Sequence, residues 1–311
     1  MTSSSGVSST SEVTGVKAAR TPRIQVEPGA FRTDRIARIT HTLAHEPLLS
    51  LRRVCDLARR RPLGHIRWHR GDIPVSSNFA RAALEFNNGR SLEQTLDAIE
   101  QDGSWVFIQH IEEDSEYRDL VFDVLNEVKP AVESVDPGMT DPHGWIFLAS
   151  PGSTTPYHMD HEANFLLQIR GSKSINVWDP TDRSVVGERE LETFHGEWSL
   201  EATKWREEFQ LKANSFQAVP GTGVFMPFTA PHAVYNGPDV SITLSLTFLT
   251  DRTIRERELF AANHKLRKLG MSPKPVGSSP LREEAKLKAL HAWTSAKSLL
   301  RRGPAGSGRS Y

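Results

Sequence analysis

Chance alone would set His two positions ahead of Asp or Glu about 1.5 times here (12 × 38/311), from 12 His and 38 acidic residues in 311. The sequence does so three times, at His110-Ile-Glu112, His158-Met-Asp160 and His195-Gly-Glu197. Such a pair can hold a metal ion, but it is more often a surface or capping feature, so its surroundings must decide. The setting of His158 is unusual: SPGSTTPY, a turn-rich segment, carries the chain from one strand-like run, GWIFLAS, into another, NFLLQIRG. Residues i and i+2 of an extended backbone face the same way, so His158 and Asp160 would present an imidazole and a carboxylate to one point. The same parity takes in Asn164, Leu166 and Gln168, and two amides among apolar neighbours predict a polar cavity inside a barrel. A third ligand must come from a distant strand. The best candidate is His232, 74 positions on (232 − 158), in GTGVFMPFTAPHAVYNG. Two His and one carboxylate form the facial set that suits non-haem Fe(II) and leaves positions open for other ligands. Catalytic zinc uses the same donors, so the ligands alone leave the metal undecided.

Lys173 shifts the balance. It lies 15 residues beyond His158 (173 − 158), behind Gly171, in the otherwise apolar strand pair NFLLQIRGSKSINVW. A lysine at a strand end commonly snorkels to water. Held inside, it needs a negative partner, and the far carboxylate of a dianionic co-substrate would be one, helped by the Thr155 hydroxyl.

Taken together, TTPYHMDHEANFLLQIRGSKSINVWDP and the downstream APHAVYNG resemble the JmjC/cupin-like Fe(II)- and 2-oxoglutarate-dependent oxygenases. The likeness is strongest to their asparaginyl-hydroxylase-like branch, whose pattern is Thr-x-x-His-x-Asp, then Asn and Lys on the next strand, then a distant His. The resemblance spans residues 144–250 and implies a mainly β fold with flanking helices around a double-stranded β-helix, the cupin-like jelly roll. It implies His158, Asp160 and His232 as iron ligands, Thr155 and Lys173 as contacts to the distal carboxylate of 2-oxoglutarate, and Asn164 as lining for the co-substrate pocket. It also implies a hydroxylase that uses O2, converts 2-oxoglutarate to succinate and oxidises a C–H bond of a protein, peptide or small-molecule substrate. Many members add a Tyr hydroxyl to 2-oxoglutarate from a preceding strand, where this chain offers Trp145 and Phe147. The sequence has no zinc-finger or Cys-rich segment of the sort that accompanies chromatin demethylases, which speaks against histone demethylation. Two other readings use the same residues. One is a metal-dependent cupin enzyme that needs no 2-oxoglutarate, for which Lys173 would be exposed. The other is a non-catalytic cupin-like binding or regulatory protein, in which the triad holds a structural metal or none.

The elements that must hold these side chains come in three textures. Residues 23–143 read as a mostly helical region packed on the barrel, FRTDRIARITHTLAH and SLRRVCDLARRR both having apolar residues three and four apart. Within it, SLEQ at 91–94 has the form of a capping box, EDSEYRDLVFDVLNEVKPAVES is a helix kinked or ended near Pro130, and SWVFIQHI is strand-like. Residues 144–250 alternate short β-rich runs (GWIFLAS, NFLLQIRG, KSINVWDP, SFQAVP, GVFMPF, HAVYN, VSITLSLTFL) with turn residues, as a β-sandwich or barrel does. Residues 251–302 read as two helices, and through them a homodimer is expected by resemblance. Residues 1–22 and 303–311 have the composition of disordered tails.

Composition narrows the classes further. Lys plus Arg and Asp plus Glu both number 38, so the zero net charge gives no support to nucleic-acid or polybasic membrane binding. The single cysteine, Cys55, excludes an internal disulfide and reads as a small buried hydrophobe. With no apolar window long enough for a signal core or a membrane span, a soluble cytoplasmic protein is expected. Of the remaining residues, His161 should point away from the metal, while His110–Glu112 and His195–Glu197 read as surface pairs. Trp198 and Trp205 read as pins for an insertion between strands, and the Arg-rich run at 52–61 as a solvated helix face.

Overall fold

The computed structural model describes residues 22–26, 31–101 and 103–301, with side chains through residue 292. The two expected tails lie outside these residues, Pro22 apart. Twelve strands among the described residues form two sheets. They are β1 (Ile24–Gln25), β2 (Ala37–His41), β3 (Ile66–Arg70), β4 (Ser104–Ile108), β5 (Thr140–Ala149), β6 (Thr154–His158), β7 (Ala163–Arg170), β8 (Lys173–Val177), β9 (Asn214–Ala218), β10 (Thr222–Met226), β11 (His232–Asn236) and β12 (Ser241–Leu249). The larger sheet runs β1-β2-β10-β7-β12-β5-β4-β3 and the smaller β6-β11-β8-β9, with antiparallel pairing throughout.

From β5 onward the chain crosses between the sheets at almost every turn: β5 large, β6 small, β7 large, β8 and β9 small, β10 large, β11 small, β12 large. That winding is the double-stranded β-helix, a jelly roll, and the protein is mainly β with flanking helices. The strands alternate accordingly. On β12, Ile242, Leu244, Leu246 and Phe248 belong to the core under the helices, while Ser241, Thr243, Ser245 and Thr247 are buried on the opposite face, between the sheets. Leu166, Ile175, Val177, Val224, Met226 and Val234 fill the barrel interior.

Seven α-helices among the described residues flank the sheets: α1 (Leu51–Arg60), α2 (Ala82–Glu85), α3 (Leu92–Asp97), α4 (Arg118–Glu133), α5 (Glu188–Glu197), α6 (Asp251–Lys268) and α7 (Pro280–Arg301). The capping box at Ser91 and Gln94 starts α3 with both reciprocal hydrogen bonds made. α4 lays Leu120, Val121, Val124, Leu125, Val128 and Val132 against the outer face of the large sheet. Each of these burials contributes roughly 1.5–3 kcal/mol before conformational entropy is subtracted. Gly144 on β5 admits this helix, because a Cβ there would stand 2.6 Å from Val121 Cγ2. Pro130 lies inside α4, which runs one more turn to Glu133. None of the helices searched among the described residues is long and apolar enough to cross a membrane.

Two local expectations are corrected. The stretch 31–45 was expected to be helical from its spacing, yet Ala37–His41 is strand β2, paired with β10 at the edge of the barrel. Pairing to an open sheet edge overrides a local three-four pattern. The region before residue 144 therefore supplies β2, β3 and β4 to the large sheet besides its helices. Likewise, the turn-rich SPGSTTPY contains a strand, β6, which begins at Thr154. Its register with β11 shifts between His232 and Val234, which face His158 and Thr155 respectively. His232 and Val234 are two apart and share a face, so their partners share it too, although Thr155 and His158 are three apart.

Candidate metal centre

His158 ends β6, Asp160 lies in the turn that follows, and His232 opens β11 directly opposite His158. One ligand atom from each lies within 4.8 Å of the other two. His158 Nε2 is 3.8 Å from Asp160 Oδ1, and His232 Nε2 is 3.8 Å from Asp160 Oδ2. The far nitrogens are committed to the backbone: His158 Nδ1 to the Pro156 carbonyl at 2.7 Å and His232 Nδ1 to the Ala230 carbonyl at 3.1 Å. A carbonyl can only accept, so each ring carries its proton on Nδ1 and turns a lone pair on Nε2 inward, the arrangement a metal ligand needs. Burial, with His232 alongside, pushes the His158 imidazolium down to about 3, which keeps the ring neutral. Burial works against the Asp160 carboxylate, but His232, His158 and the Asn164 N–H outweigh it and hold its carboxyl below the usual range.

Asn164, the second residue of β7, donates from Nδ2 to Asp160 Oδ2 at 3.1 Å and accepts from Ser245 Oγ at 2.9 Å. Its amide thus orients the carboxylate. Further along the barrel, Gln168 is tied to Ser241 and Thr243, completing a polar inner face across β7 and β12.

Lys173 begins β8 after a turn that needs Gly171, whose φ is +70° and where a Cβ would stand 2.6 Å from the Val240 carbonyl oxygen. The lysine is 5% exposed, and no ion pair or hydrogen bond reaches it among the described residues. Burial alone pushes its ammonium down to about 7. In the β8–β11 register, Val177 faces His232, Ile175 faces Val234 and Lys173 faces Asn236. Lys173 is therefore four residues, about 13 Å, along the barrel from the histidine pair. A five-carbon dicarboxylate and the lysine's own methylene stem cover that span together. Thr155, opposite Val234, stands at the intermediate level, and its Oγ1 accepts from Trp105 Nε1 at 3.0 Å, which leaves the hydroxyl proton free to be donated.

Beside the histidines a cavity of about 230 Å³ opens outward, walled by Phe79, Phe107, Trp145, Phe147, His161 and Trp198 among others. Asp160 lines it and keeps 27% of its side chain exposed, so the cluster can be reached through this chamber. Sequence reasoning missed two of the flanking groups. Phe79 stacks on His158 with 3.8 Å between centroids, and nothing in its spacing signals this. Trp105 was legible only as part of a strand, and it supplies an N–H near the position where Trp145 and Phe147 offer no hydroxyl. Trp145 Nε1 is instead bonded to Thr247.

The other candidates fall differently. His161 stacks between Phe194 and Trp198, at 3.9 and 4.0 Å, with neither ring nitrogen hydrogen-bonded. His195 is not a surface residue: it is buried against Phe228 and Phe260, while Glu197 pairs with Lys268 and His264. On a helix, residues two apart face different ways, and both lie on α5. Glu112 is also buried and pairs with His143 as well as His110. Trp205 pins the insertion against Tyr157, Trp178 and Phe209, whereas Trp198 is 57% exposed at the chamber mouth. In the Arg-rich run, Arg53, Arg59, Arg60 and Arg61 each pair with an acid.

No protein-family model matches the sequence, and neither does any curated protein. Among solved structures, the chain is similar to YcfD of Escherichia coli, with 14% identity over 88% of this chain and 69% of that one and a TM-score of 0.49. A second YcfD structure, described as a ribosomal oxygenase, matches at 14% identity over 84% and 63%, TM-score 0.42. A third, in complex with cobalt and 2-oxoglutarate, matches at 14% over 84% and 63%, TM-score 0.43. This chain thus spans less than two thirds of the latter two. The fold assignment itself rests on the strand order given above.

Proposed function

We propose that the protein is an Fe(II)- and 2-oxoglutarate-dependent oxygenase of the JmjC/cupin type, a hydroxylase whose iron ligands are His158, Asp160 and His232. The observation that carries this is the buried, unpartnered Lys173 in the same barrel as two inward-facing imidazoles and a carboxylate. A cupin enzyme without 2-oxoglutarate has no use for a buried cation, and an unpaired one costs stability unless a ligand pairs with it. The donor set fits: two nitrogens and one oxygen are free on the inward side, with three positions left for other ligands.

Iron bound there would supply the redox chemistry by which O2 is reduced as 2-oxoglutarate becomes succinate and a C–H bond is oxidised. The chain's own part is positioning. Asn164 fixes which oxygen Asp160 turns inward. Lys173 pairs with the distal carboxylate of 2-oxoglutarate, and Thr155, which accepts from Trp105, donates its hydroxyl to the same group because a carboxylate can only accept. The aromatic walls of the chamber exclude water around the reacting carbon. The Thr-x-x-His-x-Asp spacing, followed by Asn164 and Lys173, favours the asparaginyl-hydroxylase-like branch and hence a protein or peptide substrate, acted on in the cytoplasm. The apolar groove between α6 and α7, lined by Leu266, Leu269, Met271 and Leu290, supports a homodimer through these helices, and a monomeric mass in sedimentation would remove that part.

The test is turnover without substrate: anaerobically purified protein, Fe(II), labelled 2-oxoglutarate and air, following succinate. Succinate that is lost in Asp160→Ala and in Lys173→Ala is the expected result. Absence of both succinate and detectable 2-oxoglutarate binding would end the proposal.

A further inference from the structure

A second histidine–carboxylate cluster lies against Trp145, one wall of the chamber, and outside the centre described above. His110 follows β4, Glu112 lies in the turn after it, and His143 is on β5; three of their donor atoms come within 4.8 Å of one another. His110 Nδ1 and His143 Nδ1 lie 3.1 and 2.7 Å from the same atom, Glu112 Oε1. The carboxylate is held in place from behind, since Oε2 accepts the Gly144 N–H at 2.9 Å. Both imidazoles remain partly open to solvent, 32% and 25% exposed, which gives an ion a way in.

An independent observation points the same way. His143 Nε2, the nitrogen facing away from Glu112, lies 3.3 Å from Asp141 Oδ1. A carboxylate behind the far nitrogen is the partner that fixes the tautomer and orientation of metal-binding histidines. Asp141 reaches that position from left-handed backbone, φ +54°, and His110 occupies the same region at φ +53°.

We propose that His110, Glu112 and His143 form a second divalent-metal site, of the class that takes zinc. Two imidazole nitrogens and one carboxylate oxygen, with water in the remaining position, are a donor set that Zn(II) accepts. Ligand atoms on a tetrahedral zinc stand roughly 3.3 Å apart. The gaps of 3.1 and 2.7 Å to Glu112 Oε1 need only small adjustment to meet that. Binding through Nδ1 requires each ring in its Nε2–H tautomer, and Asp141 stands ready to accept that hydrogen bond from His143. The site has a structural consequence. Trp145, which walls the chamber, packs on His110 at 4.5 Å and on His143 at 5.7 Å, so an ion there would brace that wall.

The experiment uses the full chain stripped of metal, with Zn(II) as the probe. It is titrated by calorimetry, and the metal kept after dialysis is counted by mass spectrometry. In a His158→Ala/His232→Ala background one equivalent is expected to remain, and adding His143→Asn should weaken it by about tenfold or more. In the otherwise unaltered chain, His143→Asn should lower the retained zinc by one equivalent, which reads the same site without the double variant. Zinc absent from the background protein, or a zinc count that His143→Asn leaves unchanged in either chain, overturns the proposal. Neither arm depends on the oxygenase reading, because the first removes that centre and the second measures a difference.

Discussion

The two histidine–carboxylate clusters use the same residue types in opposite ways. At His158 and His232 the backbone takes Nδ1, and the Nε2 atoms meet across a gap, 3.8 Å from the carboxylate on each side. At His110 and His143 the Nδ1 atoms turn toward the carboxylate, and the hydrogen bonds are already made. The first cluster is buried and held open by its surroundings, whereas the second is half-buried and closed on itself. An open set of donors has affinity to spend on further ligands; a closed set has a resting state of its own that any ion must displace. Burial separates them in charge as well. His158 is kept neutral by desolvation, while the Glu112 carboxylate beside it raises His143 above the ordinary imidazole range.

The largest effect should come from breaking the open cluster. On the proposed reading, Asp160→Ala should lower succinate formation by at least ~100-fold, since it would remove an iron ligand together with its charge. Zinc retained at the second cluster should not change. If the variant keeps wild-type turnover, the distinction between the two clusters collapses. Next comes Lys173→Met, expected to weaken 2-oxoglutarate binding about 100-fold, read by anaerobic calorimetry. The same change should stabilise the ligand-free protein. The lysine's folded value of about 7 lies far below its ordinary 10.5, so the native state binds fewer protons than the unfolded chain between those values. Wild-type stability must therefore rise with pH across that window, and the penalty is full below it. Lys173→Met should raise the unfolding midpoint at pH 7, by about 2–4 °C for each kcal/mol recovered, with the gain fading toward pH 10.5. A flat difference across that range would mean the ammonium is not desolvated.

A smaller effect is expected at the closed cluster. Glu112→Ala leaves the Gly144 N–H and both imidazoles without their acceptor, and should cost about 1–3 kcal/mol in urea unfolding. No loss would show that water replaces the carboxylate there. The smallest change is Trp105→Phe, which keeps an aromatic ring but removes the pyrrole half of the indole and with it the N–H to Thr155. It should weaken 2-oxoglutarate about 2–10-fold, the range of one neutral hydrogen bond. A larger loss would mean that the indole N–H touches the co-substrate itself.

How much of this was legible depends on whether the cause was local. Seven β-rich runs fall on β5 and β7–β12 because alternation and turn residues act within a few positions. His158, Asp160 and His232 were found through spacing and setting, and Lys173 through a cation among apolar neighbours. β6 was not found, because Thr-Thr-Pro-Tyr-His lacks apolar alternation and becomes a strand only by pairing with β11. β2 was misread for the same reason, its partner lying some 180 residues away in sequence on β10. His143 and Phe79 were invisible as site residues, since one joins its cluster through strand packing and the other through a loop folded over a ring. Glu112 and His195 were misjudged because a His-x-acid pair carries no sign of burial.

The rung that joins His158 to His232 also sets when the centre can exist. β11 lies between β6 and β8 in the small sheet, so its place is defined only once strands from distant parts of the chain have met. Such non-local pairings close late in folding. During synthesis His158 and Asp160 emerge well before His232, and until then they offer two donors and no enclosed chamber. A chain that is truncated or unravelled before β11 thus lacks the third donor and the enclosing chamber, so on the proposed reading it could not assemble the metal centre at all.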